Sequence, residues 1–366
     1  MSFSDYSTSA RREIASSVEA ILAEYASSGA GFSGDSAKIF SIMKDYAVSG
    51  KMLRGILACL GRDLFRTAPE PDREGHRDAV RLAAALELFQ AGLLVHDDIM
   101  DKDEMRRGMP TMHKTFERLE AEARGRIAAK NPLSSCEDLG EALGICAGDI
   151  FYFIAWQLIS SFGTDMGELF SRQLVNVCLA QIKDVRLGKH EAFPPLSDSL
   201  EVYLYKTASY TISLPLCAGA LAAGRSDALP ALEELGLNLG ILFQIQDDYL
   251  GLFGNEEELG KPIGSDIREG KKTPYMIMLA DRLDPEERKH FDAIFGSESI
   301  RGDEVEYIRE LVKTHKVDAK VRELAESYAR KAEDCIARLP ERIPGLDRDT
   351  LGCLREFVDY SLSRKF

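Results

Sequence analysis

The 366-residue sequence has no CxxC pair and no even set of cysteines; its seven, Cys59, Cys136, Cys146, Cys178, Cys217, Cys335 and Cys353, are scattered. That excludes a disulfide framework and a zinc site and fits a reduced cytoplasm. There is no run of 18 consecutive apolar residues, so a membrane-spanning helix and stable membrane insertion are not expected. Residues 1–25 carry Arg11, Arg12 and Glu13 and lack the apolar stretch of a signal peptide. Basic charge is also short, with 46 Lys and Arg against 60 Asp and Glu, a net −14. Nucleic acid rewards clustered Lys and Arg, so it is excluded as a general partner. An anionic small molecule is not excluded, because a local pocket can be basic inside an acidic protein.

Alternating strand patterns are missing, and helical periodicity takes their place. Ala79 to Asp101 reads as one long helix through Leu82, Leu86, Phe89 and Leu93. Further helices are expected over Leu139–Phe162, Glu168–Lys189, Leu200–Ala223, Leu229–Leu252, Val317–Leu339 and Thr350–Ser363. Polar segments at 67–75 and 120–138, the pair Pro194-Pro195, and a Gly-rich charged stretch at 253–274 read as loops. With no repeat and no linker, a single all-α domain larger than a four-helix bundle is expected over 1–366, residues 1–34 being an extension of uncertain role.

The sharpest chemical signal is Asp97-Asp98-Ile99-Met100-Asp101. Asp97 and Asp101 are four apart on a helix, so their carboxylates share a face. Like charges so placed repel unless a cation neutralises them, and Mg²⁺ takes one or two carboxylates alongside substrate phosphate. A solvated acidic face or a helix-end cap is the plain alternative, but the apolar run from Ala91 to Val95 argues for the end of a buried helix. A second acidic pair, Asp247-Asp248, closes the apolar run from Phe243. Basic residues complete the set: Lys51 and Arg54, read as one helical turn apart, Arg106 and Arg107, Lys206 beside Thr207, and Lys261. Each alone is most simply a surface charge. Carboxylates, Mg²⁺ and Lys/Arg clamps together are the parts needed to bind a diphosphate. His96 adjoins the first motif and reads as structural, since Mg²⁺ prefers oxygen.

The ordered motifs GKMLRG (50–55), DDIMD (97–101), RRG (106–108), GD (148–149), KT (206–207), FQIQDD (243–248) and GKPIGSDIREGKKT (260–273) resemble the trans-isoprenyl diphosphate synthases, the family of farnesyl and geranylgeranyl diphosphate synthases. The resemblance implies a bundle of largely antiparallel helices around a deep central cavity, usually a homodimer. It implies Mg²⁺, about three ions, held by Asp97, Asp101 and Asp247. It implies that Arg106, Lys206 and Lys261 hold the allylic diphosphate (dimethylallyl, geranyl or farnesyl), with Lys271 also binding substrate. Lys51, Arg54, Gln90 and Arg107 would bind isopentenyl diphosphate, while Thr207, Gln244 and Lys206 would serve the reacting carbon and its leaving group. Two departures stand out: Gly251 replaces the last aspartate of the second motif, and Met52 and Gly55 differ from common choices in the first.

Family members stop chain growth with bulky residues four and five positions before the first aspartate. Here those are Leu93 and Gly92, and the next large ring is Phe89. Three residues deeper is about 4.5 Å along a helix, close to one isoprene unit, so a twenty-carbon product is expected, with fifteen or twenty-five and more carbons as alternatives. A class I terpene cyclase has no need of a second diphosphate site, and a non-catalytic modulating subunit usually lacks metal aspartates; both are weaker readings.

Overall fold

The computed structural model describes residues 2–28, 35–66, 73–126, 135–190, 192–254, 264–297 and 299–363. The chain is all-helical, 83 % helix, and its packing separates into two compact units. The N-terminal unit holds α1 (Phe3–Ser28) from Ser4 onward, α2 (Asp35–Val48), α3 (Leu53–Asp63) up to Cys59, α4 (Arg73–Met100), α5 (Met112–Arg126) and α6 (Cys136–Ser160). Among its described residues the strands are β1 (Met105–Arg106) and β2 (Met109–Pro110), an antiparallel pair in which Met105 faces Pro110. The C-terminal unit takes in the end of α3 from Leu60 and then α7 (Thr164–Lys189) from Glu168, α8 (Leu196–Val202), a π-helical segment Tyr203–Ser213, α9 (Leu214–Ala222) and α10 (Leu229–Phe253). Beyond these lie helices at Ser265–Arg268, Pro274–Ala280, Pro285–Ile294, Gly302–Thr314, Val317–Arg342 and Arg348–Ser363.

α4, α6, α7, α10, Val317–Arg342 and Arg348–Ser363 fall close to where the periodicity places them, whereas α1, in the N-terminal extension, is a 26-residue helix that the sequence reading did not place. α4 is apolar all round over Ala83, Ala84, Ala85 and Leu86, each fully buried, as a helix at the centre of a unit must be. α6 starts from a capping box, in which Ser135 Oγ accepts from Asp138 N at 2.9 Å and the Asp138 carboxylate accepts from Ser135 N at 3.2 Å. It then packs along α4 and α5. In the C-terminal unit α10 packs on the π segment and on Val317–Arg342.

Three differences from the sequence reading have physical causes. Residues 73–75, 120–126 and 136–138 are helical, not loop: α4 begins at Arg73, α5 runs to Arg126 and α6 begins at Cys136, because charged and polar residues at a helix end have the composition of a loop. Leu200–Ala223 is not one α-helix, since its middle eleven residues are π-helical. The stretch 253–274 is broken by the short helix Ser265–Arg268; residues 255–263 lie outside the described residues. Among the described residues three helices, α4, α6 and Ser226–Phe253, are long and apolar enough to cross a membrane by length and composition. The most apolar window of α4 is 72 % buried inside the protein, so helix packing accounts for its apolarity.

Candidate active site

In the N-terminal unit the first acidic motif sits at the C-terminal end of α4. Asp101 N still donates to Asp97 O at 2.8 Å, so the two residues stay one helical turn apart. Lys102 then takes a left-handed φ of 57°, and Asp103 N donates to Asp98 O at 2.9 Å. This is the Schellman way of closing a helix. The three acids face different surroundings. Asp98 is fully buried, accepts from the Tyr46 hydroxyl at 2.8 Å and is ion-paired with Arg106. Asp97 is partly exposed, 3.9 Å from the Arg106 guanidinium. Asp97 and Asp101 therefore form the pair presented along one side, and Asp98 belongs to the core. Burial, then the Asp98 charge, push the Tyr46 hydroxyl well above its ordinary pKa, so Tyr46 stays a donor. Burial works against the charge on Arg106, but Asp98 outweighs it and the guanidinium is held protonated.

The RRG motif is a β-hairpin. Arg107 (φ 54°) and Gly108 (φ 74°) form its two-residue turn, and positive φ at both positions is the type I′ geometry that matches strand twist. The turn sends Arg107 to the GKMLRG segment, where its Nη1 donates to Ser49 Oγ at 3.2 Å. A Cβ on Gly50 would lie 2.6 Å from that same nitrogen, so the guanidinium lies flat against Gly50. Lys51 and Met52 precede α3, and Met52 has φ 54°. This corrects the reading of Lys51 and Arg54 as one helical turn: Lys51 stands on the approach to the helix and Arg54 in its first turn.

Sequence reasoning missed Glu87. This side chain on α4 is buried, and its Oε1 accepts from Gly55 N at 2.7 Å, with the Arg54 N–H a further donor. It thus satisfies donors that the start of α3 leaves open. Burial raises its pKa against the opposing pull of the Arg54 charge. Gln90, also buried, lies three residues on along the same face of α4. The signal for Glu87 in the sequence was a lone acid inside the apolar run from Leu82 to Leu88.

The C-terminal unit repeats the arrangement. Asp248 is buried, accepts from the Tyr203 hydroxyl, and accepts from Gln244 Nε2 at 2.9 Å. Burial first, then the charge of Asp266, raise its pKa well above the usual carboxylate range. Asp247, one residue earlier, is only partly buried. Thr207 Oγ1 donates to Gln244 Oε1 at 2.8 Å, so the KT and FQIQDD motifs meet in one chain of hydrogen bonds ending on Asp248. Lys206 Nζ donates to Asp184 Oδ2 of α7 at 2.7 Å. Lys271 lies 2.5 Å from Glu269 and 3.8 Å from Asp266. Thr273 caps the following helix, with Pro274 at its first position. Lys261 lies outside the described residues.

Lys206 and Thr207 lie on the π-helical turn, a widened geometry that concentrates at functional sites. It is seated by α10: a Cβ on Gly240 would strike the Cα of Ala208, and one on Gly236 the Cα of Ser213. Glycine at those two places lets the backbones touch. Among the described residues no three acids or imidazoles converge tightly enough to hold a metal alone. The donor set does suit Mg²⁺, which takes carboxylate oxygens and completes its shell with water and phosphate.

The profile of the Polyprenyl synthetase family matches residues 37–312. The chain is 31 % identical over 346 residues to the geranylgeranyl diphosphate synthase of Sulfolobus acidocaldarius, covering 91 % of this chain and 93 % of that one. It is 32 % identical over 236 residues to the short chain isoprenyl diphosphate synthase of Methanocaldococcus jannaschii, covering 63 % and 64 %. Its fold matches a crystal structure of geranylgeranyl pyrophosphate synthase from Corynebacterium glutamicum, complexed with isoprenyl diphosphate and magnesium, with a TM-score of 0.83 at 26 % identity over the full length of both chains. The fold is that of the isoprenoid synthases. The chain belongs to the polyprenyl synthetase family. It is a prenyltransferase that elongates trans-prenyl diphosphate chains.

Proposed function

We propose that this chain condenses isopentenyl diphosphate with an allylic diphosphate and releases mainly the twenty-carbon geranylgeranyl diphosphate. One observation carries the reading of the site. In both acidic motifs the second aspartate is locked inward by a tyrosine hydroxyl, Tyr46 on Asp98 and Tyr203 on Asp248, while the first aspartate stays partly exposed.

Asp97, Asp101 and Asp247 would hold Mg²⁺, about three ions as in the family. Bound Mg²⁺ supplies charge that offsets the negative charge growing on the allylic diphosphate as its C–O bond breaks. Arg106, Lys206, Lys261 and Lys271 grip that diphosphate. Lys51, Arg54 and Arg107, with Gln90 behind them, receive the diphosphate of isopentenyl diphosphate. Thr207 and Gln244 turn oxygen dipoles toward the electron-poor allylic carbon. The double bond of isopentenyl diphosphate attacks that carbon, and the proton lost afterwards passes to the departing diphosphate. The apolar walls exclude water, which would otherwise capture the cation.

Product length rests on an aromatic layer. Phe89 of α4 lies 6.0 Å from Tyr152 and 6.5 Å from Trp156 of α6, ring centre to ring centre. Gly92 leaves room for the same tyrosine, since a Cβ there would come within 2.7 Å of its ring. We read Phe89, backed by these two rings, as the floor of the hydrocarbon tunnel. The working form is a homodimer in the cytoplasm, acting as one catalytic domain. Val175, Leu179 and Ile182 form an exposed apolar stripe on α7, and Phe153 stands exposed on α6, as a subunit contact needs.

The test is to incubate purified protein with Mg²⁺, isopentenyl diphosphate and the five-, ten- or fifteen-carbon allylic diphosphate in turn, then size the products by chromatography. Linear products that grow by five carbons, abolished by a chelator and ending at twenty, are expected. A cyclic hydrocarbon from one substrate alone, or no condensation without a partner chain, would overturn the reading.

A further inference from the structure

Two lysines stand side by side, Lys271 and Lys272, in the turn that leads into helix Pro274–Ala280. Their surroundings differ. Lys271 meets the carboxylates of Glu269 and Asp266. Lys272 enters a cage of rings: it is 7 % exposed, and its Nζ lies 4.2 Å from the ring centre of Phe193 and 4.5 Å from that of Phe295. Among the described residues its side chain has neither an ion pair nor a hydrogen bond. Burial lowers its pKa, with the Asp292 charge pulling the other way. The ring faces compensate the ammonium for lost water, because their quadrupole attracts a cation most strongly where solvent is excluded.

The cage is firmly built. Phe291, wholly buried, stacks on Phe295 at 5.0 Å, and Phe193 lies against both, at 5.8 and 5.5 Å. The backbone of the lysine turn is gripped as closely. Gly270 has a left-handed φ of 70°, and a Cβ there would lie 3.0 Å from Gly188 O, at the end of α7. Gly296 N, next to Phe295, donates to Ile267 O at 2.9 Å. Inside the turn Lys271 N donates to Asp266 O and Thr273 N to Lys271 O, each at 2.9 Å. Lys272 ties this backbone to the aromatic cluster.

We propose that Lys272 is a positioning residue: held between Phe193 and Phe295, it fixes the turn so that Lys271 stands ready for the allylic diphosphate. The inference rests on the prenyltransferase reading above, which assigns Lys271 to that diphosphate. The cage also keeps the second cation from competing with Lys271 for Glu269 and Asp266. Two adjacent residues of one type thus do different work, one toward the ligand and one toward the core.

The experiment compares the wild type with K272M, K272R, F295L and the double variant K272M/F295L. Methionine fills similar space without charge, and arginine keeps a cation on the rings. Three quantities are read: KM for the allylic diphosphate, KM for isopentenyl diphosphate, and amide hydrogen exchange over residues 266–273. K272M is expected to raise the allylic KM roughly tenfold, as a misplaced binding group does, with the isopentenyl KM near wild type. Exchange over 266–273 should rise roughly tenfold, the scale of a lost desolvated cation–π contact, and stay unchanged in α4. K272R is expected to remain near wild type, and F295L to add little once K272M is present. K272M with wild-type exchange overturns the proposal. So does a loss shared equally by both KM values with a lowered Tm, the mark of general destabilisation, or a K272R no better than K272M. K271A with an unchanged allylic KM sinks the assignment of Lys271 instead, and the exchange measurements still decide whether Lys272 holds the turn.

Discussion

The hydroxyl of Tyr46 donates to Asp98 at 2.8 Å across 52 residues of sequence, and this bond separates neighbouring aspartates into different roles. Removing the donor in Y46F leaves a buried carboxylate short of a partner. A loss of about 1–3 kcal/mol in stability is expected, read by urea denaturation. An unchanged midpoint would mean that Arg106 alone holds Asp98.

Adjacent substitutions should then act oppositely. D97N removes a carboxylate presented to ligand, so condensation falls by orders of magnitude while Tm stays near wild type. D98N breaks a buried pair and leaves Arg106 only the more distant carboxylates of Asp103 and Asp97, costing about 3–5 kcal/mol. Paired activity and melting measurements check this. A D97N that melts early while D98N melts normally would reverse the assignment.

Gly240 has no room for a methyl group against Ala208 of the π-helical turn. G240A should cost about 1–3 kcal/mol through overpacking and lower kcat, because it shifts the backbone carrying Lys206 and Thr207. Equal kcat in a well-folded G240A would show that the π turn does not set the position of those side chains.

Burial raises the folded-state pKa of Glu87 above its unfolded value. The folded protein therefore keeps that proton to higher pH than the unfolded chain. The stability so conferred is full below the unfolded pKa and is lost as pH rises through the folded one. E87Q keeps an acceptor for the α3 N–H groups and removes the titration. The stability of wild type minus that of E87Q should thus fall as pH climbs upward from the usual glutamate range. Denaturation curves at a series of pH values check this; a difference that does not change with pH would disprove it.

Truncating Phe89 opens the aromatic layer it forms with Tyr152 and Trp156. F89A should lengthen the product by at least one five-carbon unit, measured by chromatography of the dephosphorylated alcohols. An unchanged length places the floor elsewhere.

The helices were legible because long apolar periodicities survive any tertiary context. Asp97 and Asp101 could be singled out by their spacing of four. What separates Asp98 from Asp97 could not be read, because it depends on Tyr46, which lies on another helix. The π-helical turn was hidden for a related reason. Ala208 to Ser213 are all buried, so the segment has no single apolar face whose period could reveal the wider turn. The helical end of α5 was read as loop because exposed charge looks the same in both. Glu87 carried a signal, a lone acid in an apolar run, but only the backbone of α3 explains it.

Three of the cations expected to grip diphosphate already carry a carboxylate: Arg106 has Asp98, Lys206 has Asp184 and Lys271 has Glu269. Any anion entering must displace or share these internal counterions. A weakly charged anion such as inorganic phosphate or chloride gains little by the exchange, while a diphosphate arriving with divalent cations brings enough charge to satisfy both partners. The built-in counterions therefore act as a threshold against the common anions of the cell. If these cations hold diphosphate as proposed, each carboxylate would reclaim its cation as the product diphosphate departs.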